Sequence, residues 1–198
     1  MEVTKLRRAF RPVPHSDRRG RPRRLHLGCG ARYIPGFFHI DLTPDDHVDH
    51  VGPVERLDFI KSDSVELIYA SHVLEHFGRY EVFDVLSEWY RVLSPGGLLR
   101  VGVPDFRAAA EYYLAHGDIR DVLGLVMGGQ TAPTDYHFSL YDETNLGELL
   151  ADVGFVAIEH YDWRATEHAE VDDFTQAYLP HLDKNNGVPV SLNVEATK

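Results

Sequence analysis

The sequence contains a single cysteine, Cys29, among its 198 residues. One thiol forms neither an intramolecular disulfide nor a multi-cysteine zinc site, so both kinds of covalent or metal staple are excluded. The sequence also lacks a run of about eighteen apolar residues, and its Arg-rich start has no apolar segment of the kind found in secretory signals. These absences predict a protein without membrane contact, and we expect it in the cytoplasm.

Basic residues are scarce beyond the first 24 positions. That segment holds nine Lys or Arg and two acidic residues, although the whole chain has a net charge of -11. The remainder is therefore strongly acidic, which argues against nucleic acid as a partner. Because residues 1–23 carry several prolines and little apolar surface, we interpret them as a flexible basic arm. The arm is either a solvated tail or a contact for RNA or another anion.

Short apolar runs alternate with segments of helical periodicity after the arm. We predict strands over residues 24–27, 37–42, 48–51, 65–70, 98–103, 155–161 and 190–197. We predict helices over residues 79–93, 106–128 and 142–153, with a break in the second. This alternation indicates one α/β domain over residues 24–198, built on a mainly parallel sheet of about seven strands. An irregular polar insertion is expected over residues 162–187.

A glycine turn and an acidic residue follow the first two predicted strands. Gly28 and Gly30 end the first run, and Asp41 ends the second. Ligands of open parallel sheets bind beyond the carboxyl ends of the strands. Glycines let a ligand approach the main chain closely, and a carboxylate accepts hydrogen bonds from both hydroxyls of a ribose. The pairing favours a nucleoside, although an ordinary tight turn would also account for the glycines.

The spacing disfavours a nicotinamide-dependent oxidoreductase. A dinucleotide fingerprint has a third glycine and an acidic residue about twenty positions further on. Tyr33 stands at the third-glycine position, and Asp41 comes too early.

Five motifs in this order resemble those of class I S-adenosylmethionine-dependent methyltransferases. They are Leu25 to Gly30 (LHLGCG), Pro35-Gly36-Phe37, Ile40-Asp41-Leu42, Ala70 to His76 (ASHVLEH) and Leu93 to Gly97 (LSPGG). The first two are spaced as in a small bacterial subfamily of that class, which is often assumed to modify sugars. The resemblance covers residues 24–161 and implies a Rossmann-like fold, with S-adenosylmethionine as the cofactor.

The resemblance also implies which residues hold that cofactor. The glycine turn would hold its methionine part, Asp41 its ribose, and the segment Val54 to Leu57 its adenine. The predicted cofactor-binding residues are Gly28, Cys29, Gly30, Asp41, Leu42, Val54, Leu57, Ser71 and His72. Two departures stand out: Pro53 replaces the usual acidic partner of adenine, and the link from Gly30 to Phe37 is too short for a crossover helix.

Methyl transfer to a hydroxyl calls for a base that removes the proton. The segment from Gln130 to His137 concentrates polar and imidazole groups, and we predict His137 as the base with Asp135 orienting it. Asp105 is a further candidate for this catalytic role. The alternatives are structural: Asp105 as a helix N-cap, and Asp135 with His137 as caps or as a pair. The structural role that we consider for His76 is local hydrogen bonding. For Glu75 it is a place in the first turn of a helix, where the dipole favours a negative charge.

The expected acceptor is a small molecule or carbohydrate. No metal is predicted, because no pair of ligands repeats at ligand spacing on a helix. The short link and the polar insertion leave room for a second copy of the chain. The alternative function is a non-catalytic nucleoside-binding or scaffold protein with the same fold.

Overall fold

The structure, a computed structural model, describes residues 22–181 and 183–198. Apart from Pro22 and Arg23, the predicted basic arm lies outside the described residues. The strands are β1 Arg24–Leu27, β2 Phe38–Asp41, β3 His50–Val51, β4 Val65–Ser71, β5 Leu93–Pro104, β6 Val156–His160, β7 Tyr178–Leu179, β8 Val188–Pro189 and β9 Ser191–Thr197. The α-helices are α1 Val82–Val92, α2 Phe106–His116, α3 Leu123–Met127 and α4 Glu143–Val153. Short 3-10 helices are Leu74–His76, Ile119–Asp121, Trp163–Ala165 and Phe174–Gln176.

Seven strands form one sheet in the order β3-β2-β1-β4-β5-β9-β6. The strands from β1 to β5 pair in parallel, whereas β9 is antiparallel to both of its neighbours, β5 and β6. This architecture confirms the predicted single-domain, Rossmann-like α/β fold. β5 begins five residues earlier than predicted, because Leu93 already pairs with Val65 ahead of the Pro-Gly-Gly turn.

The connection from β1 to β2 contains no helix. Two tight turns carry the chain across: the Arg32 amide donates to Cys29 O at 3.0 Å, and the Phe37 amide donates to Ile34 O at 3.3 Å. Ile34 and Phe37 are buried, so the link packs on the sheet that a helix would otherwise cover. The compact crossover predicted from the chain length is therefore present.

One face of the sheet is apolar and is covered by helices; we call it the helix face. Its buried strand residues are Leu25, Leu27, Ile40, Ile68, Ala70, Leu99, Val101, Val103, Leu192, Val194 and Ala196. Helix α1 adds Leu86 and Trp89, both fully buried and three residues apart, as an amphipathic helix requires. Helix α4 adds Leu146 and Leu150. Removal of this apolar surface from water is the main force that holds the sheet to its helices.

Helix α4 is bounded by strong local signals. The Asp142 carboxylate accepts from the Asn145 amide at 2.9 Å, and the Asn145 side chain accepts from the Asp142 amide at 2.9 Å. Gly154 ends the helix with a φ of 116°, which favours glycine. These caps explain why the predicted helix over residues 142–153 agrees with the structure to within one residue.

The opposite face is polar and aromatic; we call it the insertion face. Its strand residues alternate with those of the helix face and are Arg24, His26, His39, Leu67, Tyr69, Leu98, Arg100, Asn193 and Glu195. Arg100 is buried and paired: its Nε lies 2.7 Å from Glu195 Oε1, and its Nη1 donates to His168 Nε2 at 3.1 Å. Hydrogen bonds and ion pairs on this face thus accompany a small apolar cluster of Ile34, Phe37, Leu67 and Tyr69.

Residues 162–187 form the insertion that covers this face. The Tyr69 hydroxyl donates to Asp173, and the Asn193 side chain donates to Thr175 O at 2.8 Å. The segment was predicted as irregular, but it also contains two 3-10 turns and β7, which pairs with β8. It therefore folds back on the sheet as a fixed covering layer.

Helices α2 and α3 lie outside the main core. Ala109 and Tyr112 of α2 form a small cluster with Val122, Leu179 and Val190. The predicted helix over residues 106–128 is divided here by the 3-10 turn at 119–121. Within the part of the chain described, no helix has the length and apolar character needed to cross a bilayer.

Candidate functional site

The glycine turn after β1 has a separate use for each glycine. Both have left-handed backbones, with φ of 61° at Gly28 and 50° at Gly30. A Cβ at Gly28 would lie 2.5 Å from a methyl group of Val73, so Gly28 lets the turn pack against the segment that follows β4. A Cβ at Gly30 would meet no atom within 4 Å. Gly30 thus presents backbone to open space, where a ligand can approach.

Asp41 ends β2 beside this turn. Its Oδ2 accepts from the Gly30 amide at 2.8 Å, and its Oδ1 accepts from the Thr43 amide at 2.8 Å. Each carboxylate oxygen accommodates more than one hydrogen bond, so both retain capacity for a ligand hydroxyl. Leu42, the next residue, is 55% exposed and leaves an open apolar edge. The structure thus brings together Gly30, Asp41 and Leu42 at the carboxyl ends of two adjacent strands.

Cys29 contributes to this region through packing. Its side chain is buried, and its sulfur lies 3.8 Å from His47 Nε2. Burial, together with the charge of Asp41, raises the pKa of the thiol to about 12. The residue is therefore a neutral packing element at neutral pH and not a reactive thiolate.

Val54 and Leu57 lie elsewhere than their predicted role requires. Both side chains belong to the main core on the helix face. Their main-chain groups are also occupied: Val54 O accepts from the Trp89 indole at 2.9 Å, and the Leu57 amide donates to Glu88 at 2.8 Å. Packing of α1 accounts for both residues, so contact between their side chains and a cofactor is not supported. Glu55, between them, is partly exposed.

The end of β4 turns sharply at Ser71 and His72. His72 has a φ of 53°, in a region that few residues other than glycine adopt and that is common at functional sites. Its Nε2 lies 3.0 Å from Ser191 Oγ, and its ring centroid is 5.3 Å from that of Phe174. Burial lowers the pKa of His72 to about 3, so the imidazole is neutral. Ser71 is buried, and its hydroxyl has no hydrogen-bond partner among the described residues.

Glu75 was expected in the first turn of a helix, and it lies in the first turn of the 3-10 helix Leu74–His76. It is fully buried, and neither carboxylate oxygen has a hydrogen-bond partner within the described ranges. The nearest basic atoms are His72 Nδ1 at 3.4 Å and His137 Nε2 at 4.0 Å from Oε1. Burial raises the pKa of Glu75 to about 8. A buried carboxyl group of this kind calls for a functional explanation.

His137 and His76 meet Glu75 in a group that we call the three-residue cluster. One ligand atom from each residue lies within 4.8 Å of the other two. The loop bearing His137 is held in place because Glu75 O accepts from the Phe138 amide at 2.7 Å and from the Ser139 amide at 3.2 Å. Residues far apart in the sequence are thus fixed together by main-chain hydrogen bonds.

Asp135 does not orient His137. Its carboxylate accepts from the Thr131 amide at 3.1 Å and from the Thr131 hydroxyl at 2.7 Å. No hydrogen bond or ion pair joins it to His137 within residues 22–181 and 183–198 of the structure. The group that holds the His137 ring is instead Leu125 O, 3.0 Å from Nδ1. Asp135 remains on the wall of the cavity as a loop-stabilising residue.

Asp105 is the N-cap of α2. Its carboxylate accepts from the Ala108 amide at 3.1 Å, which satisfies one of the free amides at the helix start. It does not line the cavity described below. The structural alternative for this residue is therefore the one that the structure supports.

A cavity of about 680 Å³ opens beside the three-residue cluster. Glu75, His76 and His137 form one wall, and Asp173, Phe174 and Gln176 of the insertion form part of another. His72 also lines this cavity, and it follows β4, which pairs with the strand that leads into the glycine turn. The volume suits a small organic molecule. The sequence analysis missed Glu75 and the insertion wall as parts of a site, although an acidic residue directly after the apolar pair Val73-Leu74 is an available signal.

The comparisons with known proteins concern the domain and its fold. A family model described as a methyltransferase domain matches residues 40–101, which include β4 and two members of the three-residue cluster. No curated protein matches the chain in sequence.

Solved structures of methyltransferases share the fold. One is a SAM-dependent methyltransferase from Archaeoglobus fulgidus, with 16% identity, a TM-score of 0.55, and 94% of this chain and 88% of that one covered. A second, from Mesorhizobium loti, has 22% identity, a TM-score of 0.51, and coverage of 89% and 90%. A third is 1,6-didemethyltoxoflavin-N1-methyltransferase from Burkholderia thailandensis with S-adenosylhomocysteine bound, with 15% identity, a TM-score of 0.54, and coverage of 91% and 72%. At these identities the likeness establishes the fold.

Proposed function

We propose that this chain, a class I S-adenosylmethionine-dependent methyltransferase by its matched domain and its fold, methylates a hydroxyl group of a small molecule or carbohydrate. The observation that carries the proposal is the position of His72. It directly follows β4, whose neighbour β1 leads into the glycine turn, and it also lines the cavity. A donor above the turn and an acceptor in the cavity would therefore meet beside this residue.

The cofactor contacts that we propose lie along the glycine turn, where Gly30 is exposed. The main chain at Gly28, Cys29 and Gly30 would face the methionine part, and Asp41 would accept hydrogen bonds from the ribose hydroxyls. Leu42 would contact the sugar or base. Because Val54 and Leu57 are core residues, we assign the adenine side to Glu55 and to the main chain beside it. Ser71 and His72 would border the sulfonium.

The acceptor would occupy the cavity with its hydroxyl towards His137. The His137 Nδ1 donates to Leu125 O, since a carbonyl oxygen only accepts, and Nε2 is left with a free lone pair. In the reaction, the acceptor oxygen attacks the methyl carbon, the carbon–sulfur bond breaks, and the hydroxyl proton passes to Nε2. Burial lowers the pKa of His137, so the ring is neutral and ready to accept a proton at pH 7.

Calorimetric titration with S-adenosylhomocysteine tests the cofactor half of the proposal. Asp41→Ala should weaken binding by about 1.5 to 3 kcal/mol, as expected for loss of a charged hydrogen-bond acceptor. Asp105→Ala, which removes an acidic residue away from the cavity, is the matched control and should bind like the wild type. Wild-type protein that binds NAD tightly but not S-adenosylhomocysteine would contradict the proposal.

Turnover with a panel of sugars and other hydroxylated metabolites tests the acceptor half. His137→Ala should lose a factor of about a hundred to ten thousand in rate but keep its affinity for S-adenosylhomocysteine. His116→Ala is the control, because His116 stacks on Tyr112 of the same helix instead of facing the cluster. Full turnover by His137→Ala would remove His137 from the reaction.

A further inference from the structure

The three-residue cluster combines features that the transfer of a proton alone does not require. Glu75 is buried with no hydrogen-bond partner for either carboxylate oxygen among the described residues, and it is aimed at the cavity wall. Such a group destabilises a folded protein unless something pairs with it. Two imidazoles stand next to it, within ligand distance of a shared point.

We propose that Glu75, His76 and His137 bind a divalent first-row transition-metal ion at the edge of the cavity. One carboxylate oxygen and two imidazole nitrogens form the donor set, and all three atoms lie within 4.8 Å of one another. An ion at their centre would satisfy the Glu75 carboxylate. Metal sites with three protein ligands of these types commonly keep further positions open for water or substrate.

The histidine rings are already oriented as metal ligands usually are. His76 Nδ1 lies 3.0 Å from Tyr136 O, and His137 Nδ1 lies 3.0 Å from Leu125 O. Since carbonyl oxygens only accept, both Nδ1 atoms carry the proton, and both Nε2 atoms have a free lone pair. Hydrogen bonds from the second ring nitrogen to a backbone carbonyl fix the tautomer of metal-bound histidines in the same way.

The donor set also indicates the class of metal. Imidazole ligands suit ions such as Zn²⁺ and Co²⁺, whereas Mg²⁺ and Ca²⁺ prefer oxygen ligands alone. The ring centroids of His76 and His137 are 4.9 Å apart and nearly perpendicular, so the two nitrogens approach from different directions. All three residues line the cavity, so an ion held by them would lie at its edge.

The site would deepen the proposed function, on which this step depends. An acceptor oxygen that occupies the open position of the ion loses its proton more readily, because the cation stabilises the negative charge that develops on oxygen. His137 would then act as a ligand, and the proton would leave to water in the cavity. The methyl group moves from sulfur to that oxygen as before.

Titration of the full chain with Co²⁺ after chelator treatment tests the site, with visible absorption as the readout. The wild type should bind one ion per chain in a form that Zn²⁺ displaces. Glu75→Gln, His76→Gln and His137→Gln should each lose more than about a hundredfold in affinity, beyond the loss usual for an outer-shell residue. His160→Gln is the matched control, because His160 pairs with Glu143 on the surface at 3.2 Å.

The outcome separates this proposal from the one before it. S-adenosylhomocysteine binding is measured on the same samples and also serves as the check that each variant folds; if one variant fails it, the other two decide. Absence of saturable Co²⁺ binding by a wild type that binds S-adenosylhomocysteine overturns the metal site alone. Cluster variants that bind Co²⁺ as tightly as His160→Gln overturn it as well. Co²⁺ binding that is lost in the cluster variants supports it.

Discussion

The two faces of the sheet are held by different physical forces. On the helix face, side chains such as Leu25, Ile68 and Val101 pack against α1 and α4, and almost every buried residue is apolar. On the insertion face, Tyr69, Arg100 and their neighbours bind residues 162–187 through hydrogen bonds and ion pairs. The comparison teaches that the helix face carries the stability of the fold, whereas the insertion face positions the wall of the cavity.

The largest expected effect is on the helix face. Leu86→Ala should lower the free energy of unfolding by about 2 to 5 kcal/mol, because Leu86 is fully buried and its removal leaves a cavity in the core. Urea unfolding gives the measurement. Leu114→Ala is the control, since Leu114 is 80% exposed on α2 and should change stability by less than about 0.5 kcal/mol. Equal losses in the two variants would contradict a core on this face.

A smaller effect is expected from the titration of His168 on the insertion face. Burial, with a further contribution from the nearby Arg100 charge, lowers the pKa of His168 to about 4. Between the pKa of an unfolded histidine, about 6.5, and that value, only the unfolded state takes up the proton, so this contribution to stability is present above pH 6.5 and falls as the pH drops.

The free energy of unfolding of His168→Asn should therefore rise relative to that of the wild type by about 2 kcal/mol as the pH falls from about 7 to 4. Urea unfolding of both proteins across this range provides the measurement. His160→Asn, at an exposed histidine, is measured alongside as the control variant. A wild-type minus His168→Asn difference that does not vary with pH would show that His168 titrates normally.

The smallest expected effect concerns the hydrogen bond between Tyr69 and the insertion, and it is measured both as a loss of stability and as a change in how firmly the insertion is held. Tyr69→Phe removes the hydrogen bond to Asp173 and should cost about 1 to 2 kcal/mol. Because that bond ties the insertion to the sheet, limited proteolysis within residues 162–187 should also become faster. Tyr80→Phe, at an exposed tyrosine, should change neither measurement. An unchanged cleavage rate in Tyr69→Phe would mean that the other contacts of the insertion suffice to hold it.

Local signals made most of the fold predictable. Strand runs, the periodicity of α1 and the caps of α4 are written in neighbouring residues, so the seven-stranded sheet and its helices follow from short segments. The glycine turn and Asp41 were also predictable as neighbours, because the carboxyl ends of parallel strands lie at one edge.

The insertion face and the cluster depend on contacts between distant residues. Asp105 was a candidate base because it follows a predicted strand, and Asp135 was a candidate orienting residue because it lies in a polar loop. Hydrogen bonds to residues three or four positions away account for each. The Glu75 carboxylate lies 4.0 Å from His137 Nε2, because main-chain hydrogen bonds bring the two segments together.

The strand sequences nevertheless indicate that one face of the sheet is polar. Leu25-His26-Leu27 and Leu99-Arg100-Val101 alternate between apolar and polar residues. Parallel strands that are covered by helices on both sides are usually apolar throughout. The alternation indicates that one side needs a polar covering, which the insertion provides.

The position of β9 in the sheet determines when the site can form during synthesis of the chain. β9 is the last strand of the sheet along the chain, but it lies between β5 and β6, and its Ser191 contacts His72. During synthesis, the five parallel strands and α1 leave the ribosome first and can pack together, whereas β6 has no neighbour in the described sheet until β9 emerges. Part of the core and the contact between His72 and Ser191 are thus completed only when β9 emerges.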